Sequence, residues 1–359
     1  MRAHVGRANR TVLDKPNIGD ETLITCLRER YGISVAALDF LPLGHDSNAG
    51  VYRVRASDGA TYFAKVKKGT IDEASVAIPR YLKDHGLPQV VAPLPTRASV
   101  LWITVDDYTL LLYPFIEGQT GMTSVLTDEQ WVEYGAILRR LHATRLPSDL
   151  LALVPRETFV PNPYFCGVAK DLLAMVDDRH YADPYQKELA TSWHAKRPEI
   201  RHIVARAEAL GRALQQSAPP FVLCHADIHT NNILLDTAGR LFVVDWDQPV
   251  LAPRERDLMF VVETPVGREV AEPRQQQLFF QGYGATEVDW LALAYYRYEW
   301  AMQDIASYAE LTFLRDDASE ETKAEASRLF QVIFQPGKIV AAAYASERHL
   351  PPALQAGLP

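Results

Sequence analysis

A polar loop enclosed by short apolar segments limits the possible folds of this chain more than any other feature. In this loop His225, Asp227 and Asn232 stand in the spacing H-x-D-x-x-x-x-N. A further apolar segment, Leu241–Val244, leads directly into Asp245, 18 residues after Asp227. Short apolar runs bounded by turn residues are typical of buried strands. The pattern therefore predicts a loop between strands, followed by a hairpin strand that ends in a carboxylate.

The same spacing occurs in the catalytic loop of protein kinases, whose chemistry explains these residue types. Transfer of a phosphoryl group passes through a loose transition state and depends mainly on positioning and on neutralisation of charge. Asp227 would orient the acceptor hydroxyl and take its proton. The amide of Asn232 and the carboxylate of Asp245 suit the ligand preferences of a divalent metal ion. The loop therefore indicates phosphoryl transfer.

Two other interpretations of the loop remain open. Its polar residues could form a solvated hairpin with no catalytic role. Cys224, His225 and His229 could bind zinc, but the sequence offers no fourth ligand, and the carboxylates account for the loop better. We expect His225 to be a buried, hydrogen-bonded support of the loop rather than an acid or a base.

The first third of the chain is rich in predicted strands and the remainder in helices, which predicts an α+β fold with two lobes. Residues 1–19 are expected to form a flexible leader. Two hairpins with acidic turns are predicted in the first lobe. Their strands are Val51–Ala56 with Thr61–Lys67, and Leu101–Val105 with Tyr108–Ile116.

Helices are predicted on both sides of a joint marked by Gly118 and Gly121. Before the joint, helices are expected over Glu21–Tyr31 and over about Asp72–His85, the latter with a kink or break near Ile78 caused by Pro79. After the joint, Thr127 and Gln130 fit a capping box, and a long amphipathic helix is expected near Pro198–Gln216.

If the loop acts in phosphoryl transfer, the strand-rich lobe has to supply a lysine. Lys65 lies in the apolar segment Tyr62–Val66, where burial of an unpaired ammonium is costly. The phosphates of ATP and a glutamate on the next helix would provide anionic partners, and Glu73 is the expected glutamate. Alternatively, Lys65 belongs to a cluster of surface lysines.

Two further segments are expected to bind nucleotide. The turn Leu43–Gly50 would cover the phosphates with its backbone amides and the Ser47 hydroxyl. The linker Leu112–Gly118 would be the hinge that contacts adenine. Because proline keeps its carbonyl but lacks an N–H, Pro114 is expected to accept from the adenine amine while Ile116 donates.

The composition restricts the partners of the chain. Among 359 residues, 37 Lys and Arg face 45 Asp and Glu, and the net charge of −8 argues against nucleic acid and favours a small cationic substrate. Three cysteines without metal or disulfide spacing indicate reduced thiols. With neither a membrane-spanning apolar run nor a secretory signal, the expectation is a cytoplasmic protein without an obligate protein partner.

Residues from about 20 to 345 resemble the aminoglycoside phosphotransferase family of small-molecule kinases. The likeness lies in the stretches Tyr113–Ile116, Cys224–Asn232, Val244–Asp247, Leu251–Phe260 and Tyr295–Glu299, the last two of which suggest its spectinomycin subgroup. The resemblance implies a bilobal protein-kinase-like fold. Residues 20–116 would form an N-terminal nucleotide-binding lobe, an antiparallel sheet with a helix, with the hinge at 113–118. Residues 117–359 would form a larger, mainly α-helical lobe with the catalytic loop and the substrate site.

The resemblance also implies the chemistry of the site. ATP would be the co-substrate, Asp227 the catalytic aspartate, and Asn232 and Asp245 the ligands of Mg²⁺. Lys65 and Glu73 would form the nucleotide-binding pair. Ala226 departs from the family, which often has glycine there, and its methyl group is expected to be tolerated.

The acceptor is predicted less directly. A cationic aminocyclitol needs carboxylates for its ammonium groups and aromatic faces for its rings. Tyr296, Glu299 and Trp300 can share a broad helical face, with Asp304 further along. Equally, these aromatic residues could be helix-packing core and the acids solvated. Arg256 and Asp257 are expected to form an internal ion pair that braces the loop after Asp245.

Three functional hypotheses follow from these features. The favoured one is an ATP-dependent antibiotic kinase that phosphorylates a hydroxyl of a spectinomycin-like acceptor and confers resistance. A second is a related metabolic kinase for choline, a sugar or an amino alcohol, because the motifs up to Asp245 would be the same. A third is a catalytically silent nucleotide-binding module. The presence of Lys65, Asp227, Asn232 and Asp245 together argues against the third.

Overall fold

The structure, a computed structural model, describes residues 15–41, 49–176, 180–263, 265–266, 269–270, 273–316 and 318–355. The chain divides into two units that are each discontinuous in sequence. The first unit runs through Thr120 and also contains residues 146–153 and 232–249. The second contains residues 121–145, 154–231 and the chain from Val250 onward. The segment with Asp245 thus belongs to the first unit, although its sequence position suggested the helical lobe.

A five-stranded antiparallel sheet forms the centre of the first unit. Its strands are β1 (Val35–Leu41), β2 (Ala49–Ala56), β3 (Thr61–Lys68), β4 (Ile103–Val105) and β5 (Tyr108–Pro114). They lie in the order β1-β2-β3-β5-β4, and both predicted hairpins are present. Gly59, in the first hairpin turn, has a φ of 89°, which glycine adopts without a Cβ clash. Tyr52, Val54, Ala64 and Val66 alternate into the buried core of this sheet.

The helices of the first unit partly match the prediction. Helix α1 (Asp20–Cys26) continues as a π-helical turn to Tyr31 and ends at Gly32, as expected. Helix α2 (Ala74–Asp84) is continuous through Pro79, so of the kink or break expected near Ile78 the break is not found. Pro79 removes only its own backbone donor, and buried residues on both sides of it hold the helix.

The leader predicted for residues 1–19 is too long at its C-terminal end. Residues 1–14 lie outside the described residues. Ile18, however, is buried in the core cluster of the sheet with Leu23 and Leu27. Lys15 forms an ion pair of 2.7 Å with Asp20. The chain is therefore anchored to the first unit before α1 begins.

A second, three-stranded sheet in the first unit carries the hairpin that leads to Asp245. It contains β6 (Gly118–Thr120), β8 (Ile233–Asp236) and β9 (Leu241–Val243), in the order β6-β8-β9. Val90 forms a parallel bridge to Val243, and a short helix, α4 (Ser148–Leu153), belongs to the same unit. The predicted hairpin strands around Asn232 and Asp245 are thus confirmed.

The second unit is mainly helical. Its longer helices are α3 (Asp128–His142), α5 (Pro163–Met175), α6 (Pro184–Ser217), α8 (Pro273–Tyr283), α9 (Trp290–Phe313), α10 (Glu320–Ile333) and α11 (Ile339–Ser346). Helix α9 packs against α5, α6, α10 and α11 and is buried over most of its circumference. Two strands, β7 (Val222–Cys224) and β10 (Val250–Ala252), pair antiparallel. None of the described helices is long and apolar enough to cross a membrane.

In the second unit, some local structures agree with the sequence prediction and others do not. The capping box is confirmed, because Thr127 accepts from the Gln130 backbone and Gln130 accepts from that of Thr127. Helix α6 begins at Pro184 and passes through Pro198, well before the predicted start. A short hairpin, β11 (Pro265–Val266) with β12 (Glu269–Val270), lies in a region predicted to be helical.

Helices α3 and α8 approach each other at two glycines. A Cβ atom on Gly135 would collide with the Phe279 carbonyl oxygen, and one on Gly282 would collide with that of Val132. Because these obstacles are backbone atoms, they cannot move aside as a flexible side chain would. The contact between α3 and α8 therefore requires glycine at both positions.

Gly135→Ala is expected to lower the free energy of unfolding by about 1–3 kcal/mol, because the added methyl group overpacks this contact. Urea unfolding measures the change. Gly167→Ala, within α5, is the matched control, since a Cβ there meets nothing within 4 Å. It should raise stability by about 0.5–1 kcal/mol through helix propensity. Equal effects of the two substitutions would contradict the close approach.

Candidate active site

One buried carboxylate holds the catalytic loop in the second unit. The two residues after β7, His225 and Ala226, donate their backbone N–H groups to Asp257 at 2.9 and 2.7 Å. Asp257, from the short helix α7 (Glu255–Leu258), is fully buried. His142 Nε2 lies 3.0 Å from the same carboxylate, and His142 Nδ1 lies 2.7 Å from the Tyr283 hydroxyl.

The partners of Asp257 decide its charge. Burial acts to raise its pKa, but hydrogen bonds and charge from His142, with further contributions from His225, hold the pKa of Asp257 below its ordinary value. The carboxylate is therefore ionised at neutral pH and acts as an acceptor for both loop N–H groups. Charge-assisted hydrogen bonds of this kind are among the stronger ones in proteins.

The ion pair predicted between Arg256 and Asp257 is not found. Arg256 instead lies 3.9 Å from Glu299, and its guanidinium stacks over the rings of Tyr296 and Trp300 at 5.4 and 5.7 Å. The two neighbours in sequence point to different partners because α7 presents them on different sides. The bracing role of Asp257 is thus directed at the catalytic loop itself.

The same region contains three ligand-type side chains that could suggest a metal centre. Atoms of His142, Cys224 and Asp257 lie within 4.8 Å of one another. Both ring nitrogens of His142 and both oxygens of Asp257 already take part in the hydrogen bonds above. The cluster is therefore a hydrogen-bond network that supports the loop.

The loop residues themselves have distinct environments. His225 is fully buried, and its Nδ1 accepts from the backbone N–H of Asp227 at 3.2 Å, which agrees with a supporting role. Ala226 has a φ of 73°, in the left-handed region where glycine is unstrained. The Asp227 side chain is 37% exposed. The Tyr134 hydroxyl donates to the Ile228 carbonyl at 2.5 Å and fixes the backbone beyond Asp227.

Ala226→Gly is expected to raise the free energy of unfolding by about 0.5–1 kcal/mol. The substitution removes the strain of alanine in the left-handed conformation, and this gain exceeds the extra entropy cost of ordering a glycine. Urea unfolding tests this expectation. Ala174→Gly, at an exposed position of α5, should instead lower stability by a similar amount. A loss of stability in both variants would show that Ala226 is not strained.

In the first unit, Asn232 and Asp245 lie at the same end of the β8–β9 hairpin. Asn232 directly precedes β8, and the Val244 N–H donates to its carbonyl at 3.0 Å. Asn232 is buried, whereas Asp245 is exposed and has a φ of 64°. Aspartate tolerates this conformation better than most residues. The hairpin register thus brings an amide and a carboxylate to one end of the sheet.

Lys65 in β3 pairs with a carboxylate that the sequence analysis did not assign. Its Nζ atom lies 2.9 and 2.8 Å from the two oxygens of Asp247, within the first unit. In the sequence, Asp247 stands out only as a second acid two residues after Asp245, within the stretch Val244–Asp247. That spacing is the one sequence signal for a role of Asp247 in the site. The predicted partner, Glu73, is an exposed residue directly before α2. A Lys65–Glu73 pair in the nucleotide complex stays a prediction.

The remaining nucleotide-binding candidates stay predictions too. Ser47 lies outside the described residues. Pro114 is the last residue of β5, opposite Tyr62 of β3, and Ile116 follows two residues later. Tyr113 lies next to them, and burial, followed by the charges of Asp247 and Asp245, raises its pKa. The tyrosine therefore stays neutral beside these carboxylates.

The four acceptor-site candidates on α9 fall into two environments. Tyr296 is fully buried and Glu299 is 8% exposed. Glu299 accepts from the Gln303 amide at 2.6 Å, and burial raises the pKa of Glu299. These two residues, with Arg256, belong to the packed interior of the second unit.

Trp300 and Asp304, by contrast, lie near Asp227 and are only partly buried. His229 Nε2 is 3.3 Å from Asp227 Oδ1, and the His229 ring meets Trp300 with centroids 6.4 Å apart. Burial raises the pKa of Asp304 to about 7, opposed by a hydrogen bond from Trp300 and reinforced by the charge of Asp227. Among the candidates, Trp300 and Asp304 are therefore the pair associated with Asp227.

Comparison with known proteins agrees with this fold. The sequence profile of the phosphotransferase enzyme family matches residues 39–296. The chain belongs to this family, and it is a phosphotransferase that acts on a hydroxyl group. The predicted α+β, kinase-like fold is confirmed.

Individual relatives give more detail. The crystal structure of a spectinomycin phosphotransferase, APH(9)-Ia, with ADP and spectinomycin matches with a TM-score of 0.84 and 30% identity, over 92% of this chain and 99% of that one. Protein StrN from Streptomyces griseus is 26% identical over 278 residues, which cover 76% of this chain and 78% of StrN. An amicoumacin kinase, hAmiN, shares the fold at 16% identity, with a TM-score of 0.56 over 88% of this chain and 92% of that one.

Proposed function

We propose that this enzyme transfers the γ-phosphate of ATP to a hydroxyl of an aminocyclitol antibiotic, with spectinomycin as the acceptor, and so confers resistance. The observation that carries the proposal is the environment of Asp227. Its partly exposed carboxylate stands on a loop fixed by Asp257, and Trp300 and Asp304 belong to the same neighbourhood. Similarity to a spectinomycin phosphotransferase over nearly the whole chain supports this acceptor.

The role of Asp227 follows from the demands of phosphoryl transfer. The acceptor hydroxyl donates a hydrogen bond to the Asp227 carboxylate, which directs the oxygen lone pair at the phosphorus. The proton passes to Asp227 as the new oxygen–phosphorus bond forms and the bond between the γ-phosphorus and the bridging oxygen breaks, which releases ADP. Because the transition state is loose, this carboxylate contributes mainly by orienting the hydroxyl. A loop held by Asp257 limits the misplacement that would slow the reaction.

Trp300 and Asp304 supply what a cationic acceptor needs. Asp304 offers a carboxylate to an ammonium group, and Trp300 offers an aromatic surface to a ring. The net charge of −8 also favours the approach of a cation. Tyr296 and Glu299, which are buried, act here by positioning α9 rather than by touching the acceptor.

The first unit supplies the nucleotide-binding residues. Lys65 would bind the phosphates of ATP, as the ammonium of a strand lysine does in kinases. The hard oxygen donors of Asn232 and Asp245, with Asp247 two residues further on, fit Mg²⁺. Bound Mg²⁺ supplies charge neutralisation on the phosphates. Pro114 and Ile116 would contact adenine, and Ser47 the phosphates. A cytoplasmic location, where ATP is available, is part of this proposal.

The pKa of Asp304 gives the acceptor site a pH dependence. As pH rises through about 7, Asp304 loses its proton, so the KM for spectinomycin should fall. In Asp304→Asn this pH dependence of KM should disappear. The KM at pH 8 should be about 10–100-fold higher than that of the unmutated enzyme, because one charge-assisted hydrogen bond is lost. Steady-state kinetics from pH 6 to 8.5 measure both. The variant also reports any titration of the acceptor itself, and an unchanged profile would remove Asp304 from the site.

A substrate panel tests the function directly. The purified enzyme should release ADP with Mg-ATP and spectinomycin, and ³¹P NMR of the product identifies the modified hydroxyl. Kanamycin and choline complete the panel. Turnover of choline without turnover of spectinomycin would establish the metabolic alternative. Expression in a sensitive strain should raise the inhibitory concentration of spectinomycin if the role is resistance.

Asp227→Asn separates an enzyme from a silent nucleotide-binding module. We expect kcat to fall by about 10²–10⁴-fold, because the amide cannot take the proton. ADP affinity by calorimetry should stay unchanged. Asp171→Asn, at an exposed position of α5, is the matched control and should keep full activity. Nucleotide binding by the unmutated protein without turnover of any acceptor would favour the module instead.

A further inference from the structure

We propose that His229 is a positioning residue for Asp227, which it holds through a single ring tautomer. The inference rests on the proposed function, in which Asp227 receives the proton of the acceptor hydroxyl. Both residues lie in the second unit, two positions apart in the catalytic loop. The contacts of the loop described above hold its backbone, whereas His229 contacts the side chain of Asp227, the reacting carboxylate.

The backbone sets the tautomer of His229. The N–H of Asn231 donates to His229 Nδ1 at 3.2 Å, so Nδ1 is an acceptor and carries no proton. In the neutral ring the proton is then on Nε2. His229 Nε2 lies 3.3 Å from Asp227 Oδ1, so the protonated nitrogen of the ring is the one near the carboxylate.

Two aromatic side chains restrain the ring. Phe260 and Trp300 meet His229 edge-on, with centroids 5.7 and 6.4 Å away and interplanar angles of 74° and 89°. Phe260 and Trp300 also pack on each other at 4.9 Å and 87°. The His229 side chain is 26% exposed. A ring held by aromatic edges and one backbone donor keeps its Nε2 atom close to Asp227.

This arrangement affects the direction of the carboxylate. With Oδ1 of Asp227 held by His229, rotation about the Cβ–Cγ bond is restricted, and the second oxygen keeps one orientation. An acceptor hydroxyl then meets an oriented base, which is where small misplacements cost most in rate. Because Trp300 touches the His229 ring and is an acceptor-site candidate, the same contact couples acceptor packing to the position of the base.

Two substitutions separate the contacts of His229. Gln places an amide N–H near the position of Nε2 and can still reach Asp227. Asn places its amide near Nδ1, where it can accept from Asn231 but cannot reach Asp227. His229→Asn should lower kcat about 10–100-fold with little change in the KM for ATP. His229→Gln should keep kcat within about threefold of the unmutated enzyme, since it restores the donor.

Melting temperatures of both variants control for folding, and His194→Asn, at an exposed position of α6, should leave kcat unchanged. Equal kcat values for the Gln and Asn variants would overturn the inference, and so would a loss confined to the KM for ATP.

A readout without turnover tests the contact alone. Long-range ¹⁵N–¹H spectra of histidine-labelled protein should show His229 protonated at Nε2, with the signal assigned by its loss in His229→Asn. Asp227→Asn should shift that signal. Protonation at Nδ1, in an enzyme that still phosphorylates its acceptor, would overturn this inference while leaving the proposed function intact. Absence of turnover with every acceptor would instead remove the proposed function, and the positioning role with it.

Discussion

The catalytic loop depends on one buried charge and the groups that compensate it. Asp257 is fully buried, and a carboxylate without partners in such a place would cost several kcal/mol. Its partners come from the loop backbone and from His142 at the end of α3, which in turn contacts Tyr283 at the end of α8. The charge that makes the loop rigid is thus compensated by the helices around it. Loss of any partner would disturb both packing and loop geometry.

Local spacing was enough to single out candidates for part of the site. Asp227, Asn232 and Asp245 are candidates because a loop motif and a strand end are both recognisable over a few residues. Partner choice was not readable, because it is a property of the folded chain. Lys65 and Asp247 are 182 residues apart, and the position of Asp247 two residues after Asp245 does not indicate that it, rather than the nearer Glu73, pairs with Lys65.

The wrong predictions of the fold share a physical cause. Prolines were expected to interrupt or start helices, but α2 and α6 pass through Pro79 and Pro198 because packing outweighs one lost hydrogen bond. Helix α9 is buried on nearly all sides, so its periodicity could not distinguish core residues from ligand-facing ones. Only the structure separates the interior Tyr296 from Trp300, which contacts His229 in the catalytic loop.

The discontinuity of the two units has a consequence for how such enzymes can diversify. One segment of the first unit ends at Thr120, and another begins at Asn232, inside the motif that begins at His225. A single recombination point near the joint would therefore join a sheet from one parent to an Asp245 hairpin from another. Whole-lobe exchange between relatives is thereby discouraged. Under the proposed function, new acceptor preferences would arise more readily by point substitutions on α9 than by shuffling of lobes.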